Sequence, residues 1–210
     1  MPRQKEFDLE AALDGAMTTF WTKGYTATSI EDLVTRMGIQ RGSLYATFGN
    51  KRSLFLSALG RYQRVVTREL LAVLEAPGSG LAAIRRFFRL RVEGSLDRRR
   101  PPGCLVTNSA VELSPRDRGA AARVGGSLVT LEAAFLRALE RARVQGEVAA
   151  TRDLRALARF LTSSAQGLSV MAKARAERAV LEDVVEVVLA VLEGARPRKG
   201  RRKRTRKEAL

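Results

Sequence analysis

Hydrophobic residues recur along the chain at three- and four-residue spacing, and no run alternates apolar and polar positions for long. That period belongs to α-helix rather than to strand. Leu9, Ala12, Leu13, Ala16, Met17 and Phe20 share one face of a first helix over residues 8–22, and Gly24 follows as a left-handed cap. A short second helix is predicted over 29–37. Thr28 and Ser29 are its candidate N-caps, Glu31 or Asp32 completes a capping box, and Gly38 closes it. A third covers 40–47, and Asn50 caps a long fourth that runs to 75, ahead of Pro77-Gly78. Five more are predicted over 79–97, 103–113, 115–145, 151–173 and 177–194. Ser114-Pro115 reads as a cap with proline at the first helical position, Thr151 caps the eighth helix and Gly146 ends the seventh. Gly125-Gly126 weakens the seventh helix by about 1 kcal/mol per glycine, so a bend or break is expected there.

The last two helices carry the widest apolar stripes. Leu154, Leu157, Ala158, Leu161, Ala165 and Leu168 form one. Val180, Leu181, Val184, Val185, Val187, Val188, Leu189, Val191 and Leu192 form a broader second. A helix apolar over that much of its circumference is buried on more than one side, which points to pairing with a second copy of the chain, with burial inside the monomer as the alternative.

Composition narrows the chemistry. At 210 residues and 45% hydrophobic, the chain is long and apolar enough to bury a core. Histidine is absent, which excludes the Ser-His-Asp triad, the Cys-His pair and histidine zinc sites. Cys104 is the single cysteine, so neither an internal disulfide nor a four-thiolate metal site is available. No constellation of Asp and Glu stands out, and neither an enzyme nor a cofactor or metal is expected. No signal segment and no apolar run of about 18 residues is seen, so the expectation is a cytoplasmic, reducing location without a membrane span.

The charge points the other way, toward a partner. Lys and Arg number 38 against 22 Asp and Glu, a formal +16. Such an excess favours nucleic acid or another anionic surface. Its placement matters. Residues 196–210 hold nine basic residues and one acid, a run that does not fold alone and that adds non-specific phosphate attraction. A second concentration, Arg36, Arg41, Lys51 and Arg52 with no acid between 36 and 52, runs from the second helix to the start of the fourth; the second and third helices, joined at Gly38, have helix-turn-helix proportions. Ile30, Leu33 and Val34 face inward on the second helix. Leu44 and Phe48 do so on the third, leaving Arg41, Gly42, Ser43, Tyr45 and Thr47 outward. Arg41 suits guanine through two hydrogen bonds, and Tyr45 and Lys51 suit phosphate, the lysine beside outward-facing amides at a helix start. Gly42 lets backbone approach the duplex.

The stretch Phe20…Gly24-Tyr25…Thr28-Ser29-Ile30…Leu33…Gly38-Ile39…Gly42-Ser43-Leu44-Tyr45…Phe48…Asn50-Lys51…Leu54 resembles the tetracycline-repressor (TetR-like) family of bacterial regulators. Pro102-Gly103-Cys104-Leu105-Val106…Asn108…Glu112-Leu113-Ser114-Pro115 and Gln166-Gly167-Leu168…Met171 look like later helices of one branch of it. The resemblance implies an all-α fold of about nine helices. A three-helix helix-turn-helix DNA-binding domain would cover 1–51. A helical ligand-binding and dimerisation bundle would cover 52–195, followed by the basic tail, 196–210. It implies a homodimer that binds double-stranded operator DNA as an inverted repeat, acts most readily as a repressor and is released by a small-molecule effector. Carried onto this chain, base edges fall to Arg41, Gly42, Ser43 and Thr47, and phosphate to Thr28, Ser29, Tyr45 and Lys51. The implied effector pocket is lined by candidates Leu59, Tyr62, Phe87, Phe88, Arg91, Cys104, Asn108 and Phe135, each of which reads equally as ordinary core. Cys104 follows Arg98-Arg99-Arg100 near a helix start, a setting that favours thiolate and a sensing role, against the plainer reading of a small buried apolar residue. A sequence-independent nucleic-acid packaging protein is the competing reading, supported by the tail and opposed by the recognition helix.

Overall fold

The computed structural model describes residues 7–193, so the basic tail lies outside the described residues. Among these the secondary structure is helical, without strands: α1 (Leu9–Lys23), α2 (Ile30–Met37), α3 (Arg41–Phe48), α4 (Lys51–Tyr62), α5 (Arg68–Glu75), α6 (Gly80–Leu96), α7 (Leu105–Glu112), α8 (Arg118–Val144), α9 (Leu154–Lys173) and α10 (Arg178–Glu193). A π-helical turn, Gln63–Thr67, joins α4 to α5 without a break. The long fourth helix expected from the sequence is therefore real, with one wide turn inside it, and counting it once leaves nine helices among the described residues.

The local signals that set the helix ends are met by side chains. Asp8 caps α1, Ser29 and Asp32 form a complete capping box on α2, and the Asn50 side chain accepts from the Ser53 amide at the start of α4. Gly38 closes α2 in the left-handed region, at φ 66°, where a β-carbon is disfavoured. Two expected starts move. Asp117 rather than Ser114 caps α8, so Pro115 precedes the helix, and Asp153 rather than Thr151 caps α9. In both cases a carboxylate accepting main-chain amides takes the position.

α8 runs unbroken through Gly125 and Gly126, contrary to the expected bend. Its packing on α9 and α6 holds the helix, and tertiary contact overrides a propensity deficit of this size. No atom lies within 4 Å of where a β-carbon on Gly126 would stand. Gly126→Ala is therefore expected to raise stability by about 0.5–1 kcal/mol, read as a higher urea midpoint with an unchanged slope.

Burial divides into two clusters. One joins α5, α6, α8, α9 and α10 around Phe87, Phe88 and Phe135. The Phe88 and Phe135 rings stack at 5.8 Å and Phe87 meets Phe135 edge-on at 4.9 Å. The other gathers α1 to α4 around Phe20, Leu33, Leu44 and Phe55, and it extends into α7 and the first turns of α8 through Leu105, Leu113, Ala120 and Val124. The break between the clusters thus falls elsewhere than residue 51. α4 spans the junction, tied back to α1 by Arg61 with Glu10 and Asp14, and to the α8 cap by Arg52 with Asp117 at 2.5 Å.

The apolar stripe of α9 corrects one expectation. Leu154, Leu157, Ala158, Leu161, Ala165 and Leu168 are all buried inside the chain's own bundle, against α6 and α8. Periodicity marks a face to be covered without naming its cover. The faces left open are others: Phe160 and Val170 on α9, and Val180, Val187 and Val191 on α10.

Candidate nucleic-acid interface

α2 and α3 pack across Gly38 through Leu33, Met37 and Leu44, each buried. With those residues inward, the opposite side of α3 faces out: Arg41, Gly42 and Tyr45 are exposed, and Ser43 and Thr47 half-buried. The Arg41 guanidinium lies 5.8 Å from the Tyr45 ring centroid, so arginine and tyrosine form one projecting pair. α3 has no side-chain cap at Gln40, whereas α1, α2 and α4 do; its first amides are left to other partners. Nothing in the chain comes within 4 Å of where a β-carbon on Gly42 would sit, so internal packing does not demand glycine there.

Around α3 the charges are already partly engaged. Lys23 pairs with Asp32 at 2.5 Å, and that bond with those from Ser29 lowers the Asp32 carboxyl to about 2. Arg52, counted among the basic residues of the motif, is spent on Asp117, whose carboxyl it lowers to about 2. Lys51 stands at the first turn of α4 with its ammonium 4.6 Å from the Tyr25 ring centroid. Burial pulls this ammonium below the ordinary lysine value, and the carboxylates of Glu112 and Asp32 oppose the shift.

Thr28 requires a correction. It is buried to 1% exposure, and its hydroxyl donates to the Gly24 carbonyl at 2.5 Å. Packing under the α1–α2 turn takes it off the surface where a phosphate would lie. Ser29 is exposed, with its hydroxyl accepting from the Asp32 amide at 3.0 Å.

One residue that the sequence reading left without a role fixes this unit to the rest of the chain. Glu112, at the end of α7, accepts from the Tyr25 amide at 2.9 Å and the Thr26 amide at 2.7 Å. Gly24, at φ 84°, lies so close that a β-carbon there would come within 2.8 Å of a Glu112 oxygen. Burial pushes the Glu112 carboxyl up, but the two amides and the Lys173 charge outweigh it and hold the group below its ordinary value.

At the other end of α7, Cys104 is buried, and the Tyr62 hydroxyl donates to its sulfur at 3.4 Å. Burial pushes this thiol up; the Arg91 charge and hydrogen bonds from Tyr62 and Thr107 more than offset it, leaving it below the ordinary thiol value. Of the candidate pocket residues, Tyr62, Phe87, Arg91 and Cys104 share the wall of a narrow cavity of about 40 Å³. Leu59, Phe88 and Phe135 are fully buried packing, away from that wall, as ordinary core. Asn108 is also off it, with an amide nitrogen that lacks a partner. A larger cavity of about 410 Å³ adjoins the first across Tyr62, Leu70 and Arg91, and Trp21 of α1 lies on its wall. No local pattern around Trp21 signals a wall shared with α6.

An exposed, basic recognition helix set on a buried three-helix unit and coupled to a helical bundle defines a helix-turn-helix DNA-binding regulator. The profile described as bacterial regulatory proteins, tetR family, matches residues 12–58, and that described as tetracyclin repressor-like, C-terminal domain, matches residues 80–188. The uncharacterised HTH-type transcriptional regulator YezE of Bacillus subtilis is 41% identical over 92% of this chain and 100% of its own length. The HTH-type transcriptional repressor ComR of Escherichia coli is 33% identical over 88% of this chain and 87% of its own length. Among solved structures, a cysteine variant of the TetR family transcriptional regulator CifR, complexed with 26-base-pair operator DNA, superposes with a TM-score of 0.82 at 33% identity. That match covers 89% of this chain and 98% of the CifR chain. The chain belongs to the TetR family of DNA-binding transcriptional regulators. No helix among the described residues is long and apolar enough to cross a membrane.

Proposed function

We propose that this chain is a ligand-responsive repressor that binds an inverted-repeat operator as a homodimer and is released when a small molecule occupies the bundle. The outward face of α3 carries this reading. Arg41, Gly42, Ser43 and Thr47 address base edges, while Ser29, Tyr45 and Lys51 address the backbone, Lys51 beside the free amides that open α4. Thr28 drops out, for the reason of its burial. The open apolar faces of α9 and α10 support self-association: Val187 is 63% and Val170 54% exposed. Two copies joined there would present two recognition helices, which suits a two-fold operator. That ComR is named a repressor, and that CifR is seen with operator DNA, supports the same assignment.

Selection of random duplexes at near-physiological salt tests the reading. An enriched inverted repeat, bound by a particle of twice the chain mass, is the expected outcome; bound DNA without an enriched motif overturns it in favour of packaging. On the selected operator, Arg41→Ala is expected to lower affinity by about 1–3 kcal/mol and to relax preference at one base position. Lys51→Ala instead weakens all sequences alike and reduces the slope of log affinity against log salt by about 1. Equal losses on operator and random DNA for Arg41→Ala would remove it from base reading.

A further inference from the structure

We propose that the larger cavity takes a small monocarboxylate, held between Arg91 of α6 and Trp21 of α1. The inference rests on the ligand-responsive reading and names the chemical class of the effector.

The cavity, about 410 Å³, has the size of a small-molecule site. Two residues on its wall carry buried N–H donors without partners, Trp21 at Nε1 and Arg91 at Nε. Trp21 is only 7% exposed, so water does not compensate its donor from bulk. Both donors lie just beneath the wall, and an acceptor in the cavity that drew either side chain toward it would give that donor the partner it lacks. The charge says which kind. A guanidinium stays protonated, and Arg91 bonds only to neutral oxygens, the Ala165 carbonyl at 3.3 Å and the Ser169 hydroxyl. No described carboxylate forms an ion pair with it. A half-buried cation left in that state is stabilised by an incoming anion, and a carboxylate suits the planar fork of N–H groups.

The remaining wall limits the ligand further. Asp97 is engaged by Arg99 at 3.0 Å; of the other charges on the wall, Glu69 and Glu93 outnumber Arg100, and once Arg91 is neutralised by one carboxylate they repel a second negative charge. On the far side of Tyr62 and Arg91 the narrow cavity is faced by Phe87, Val106 and Leu131, room for a short hydrocarbon tail. A monoanion with a modest apolar body satisfies both halves. Such a ligand would touch α1 directly, because Trp21 sits on α1 and meets Tyr62 edge-on at 4.8 Å. Its occupancy is thus felt in the unit that carries α3.

Trp21 is the only tryptophan in the chain, so its emission reports this cavity and nothing else. The full-length protein is titrated, without DNA, with propionate, butyrate, hexanoate, octanoate and benzoate, each against its primary amide at constant ionic strength. At least one carboxylate is expected to shift Trp21 emission saturably and to bind at least tenfold more tightly than its amide. Arg91→Gln should remove that preference. Calorimetry on Trp21→Phe, which keeps the ring packing and loses the donor, should show weaker binding with the helical circular dichroism unchanged. Amides that bind as well as acids, or no saturation by any acid even at tens of millimolar, overturn the proposal. So does carboxylate binding that appears only in Cys104→Ser, which would make the thiolate the standing counter-ion of Arg91. Operator affinity is measured on the same preparation. Operator binding with no carboxylate binding sinks the effector class alone, whereas absent operator binding sinks the repressor reading and leaves the titration to judge the cavity.

Discussion

Glu112→Ala is expected to weaken operator binding about tenfold, equivalent to roughly 1.4 kcal/mol, although the hydrogen bonds of Glu112 go to the α1–α2 turn and not to α3. Its carboxylate accepts the adjacent amides of Tyr25 and Thr26, the turn that carries α1 into α2. Hydrogen bonds to a charged acceptor are worth about 1.5–3 kcal/mol each where water is excluded, and these are partly open to it, so the lower part of that range applies. Removing them lets the α1–α2 turn shift relative to α7, and with it the angle at which α3 is presented. The check is anisotropy of a labelled operator, with thermal unfolding as control. Unchanged affinity in a folded variant would reduce Glu112 to a surface contact. The pH dependence follows from the lowered carboxyl. A group whose folded pKa is depressed contributes its full stabilisation above its unfolded value, near 4.5, and loses it as pH falls through the folded value. The tie therefore holds through neutrality and fails only in acid.

The largest loss of stability is expected from Gly80→Ala. Gly80 opens α6 where that helix crosses α8. A β-carbon there would stand 2.0 Å from the Ala138 carbonyl oxygen and 2.7 Å from the Ala142 nitrogen, both backbone atoms of α8. Neither yields as a flexible side chain would, so the two helices must separate. Overpacking of this severity costs about 3 kcal/mol or more. For a chain of this size that corresponds to a fall in Tm of about 6–12 °C, read by circular dichroism. A melting curve unchanged from the parent would show that α6 and α8 are less closely engaged than the geometry states.

These two residues mark where reading the sequence succeeds and where it stops. Caps are written locally: Ser29, Asp32, Gly38 and Asn50 are identifiable because each acts on amides or carbonyls a few positions away. The outward face of α3 is equally readable, since Leu44 fixes which side is in. Contacts across 60 or more positions are not. Glu112 belongs to a stretch singled out from the sequence, yet nothing in its neighbours announces that its oxygens serve Tyr25 and Thr26. Thr28 follows ordinary cap chemistry and is nonetheless buried, because the turn above it folds back. The α9 leucines show the same limit, since an apolar stripe fixes the need for cover and not its source. Three of the eight expected pocket residues, Leu59, Phe88 and Phe135, are packing, and the wall gained Trp21, 70 positions before Arg91, a pairing set by how α1 lies on α4.

The cluster that surrounds Phe20 and Leu33 also contains Leu105, Leu113, Ala120 and Val124. Six of the twenty buried residues in that cluster are thus supplied by segments more than 100 positions into the chain. A chimera made by grafting residues 1–51 onto a relative's bundle would set a foreign α7 against its own α1 and misfit there. Retargeting by exchange of recognition elements should therefore succeed only when the swap is confined to α3, or when α7 and the opening of α8 travel with it. In such a chain, operator preference and internal packing are inherited in different pieces, and only the first is free to diverge quickly.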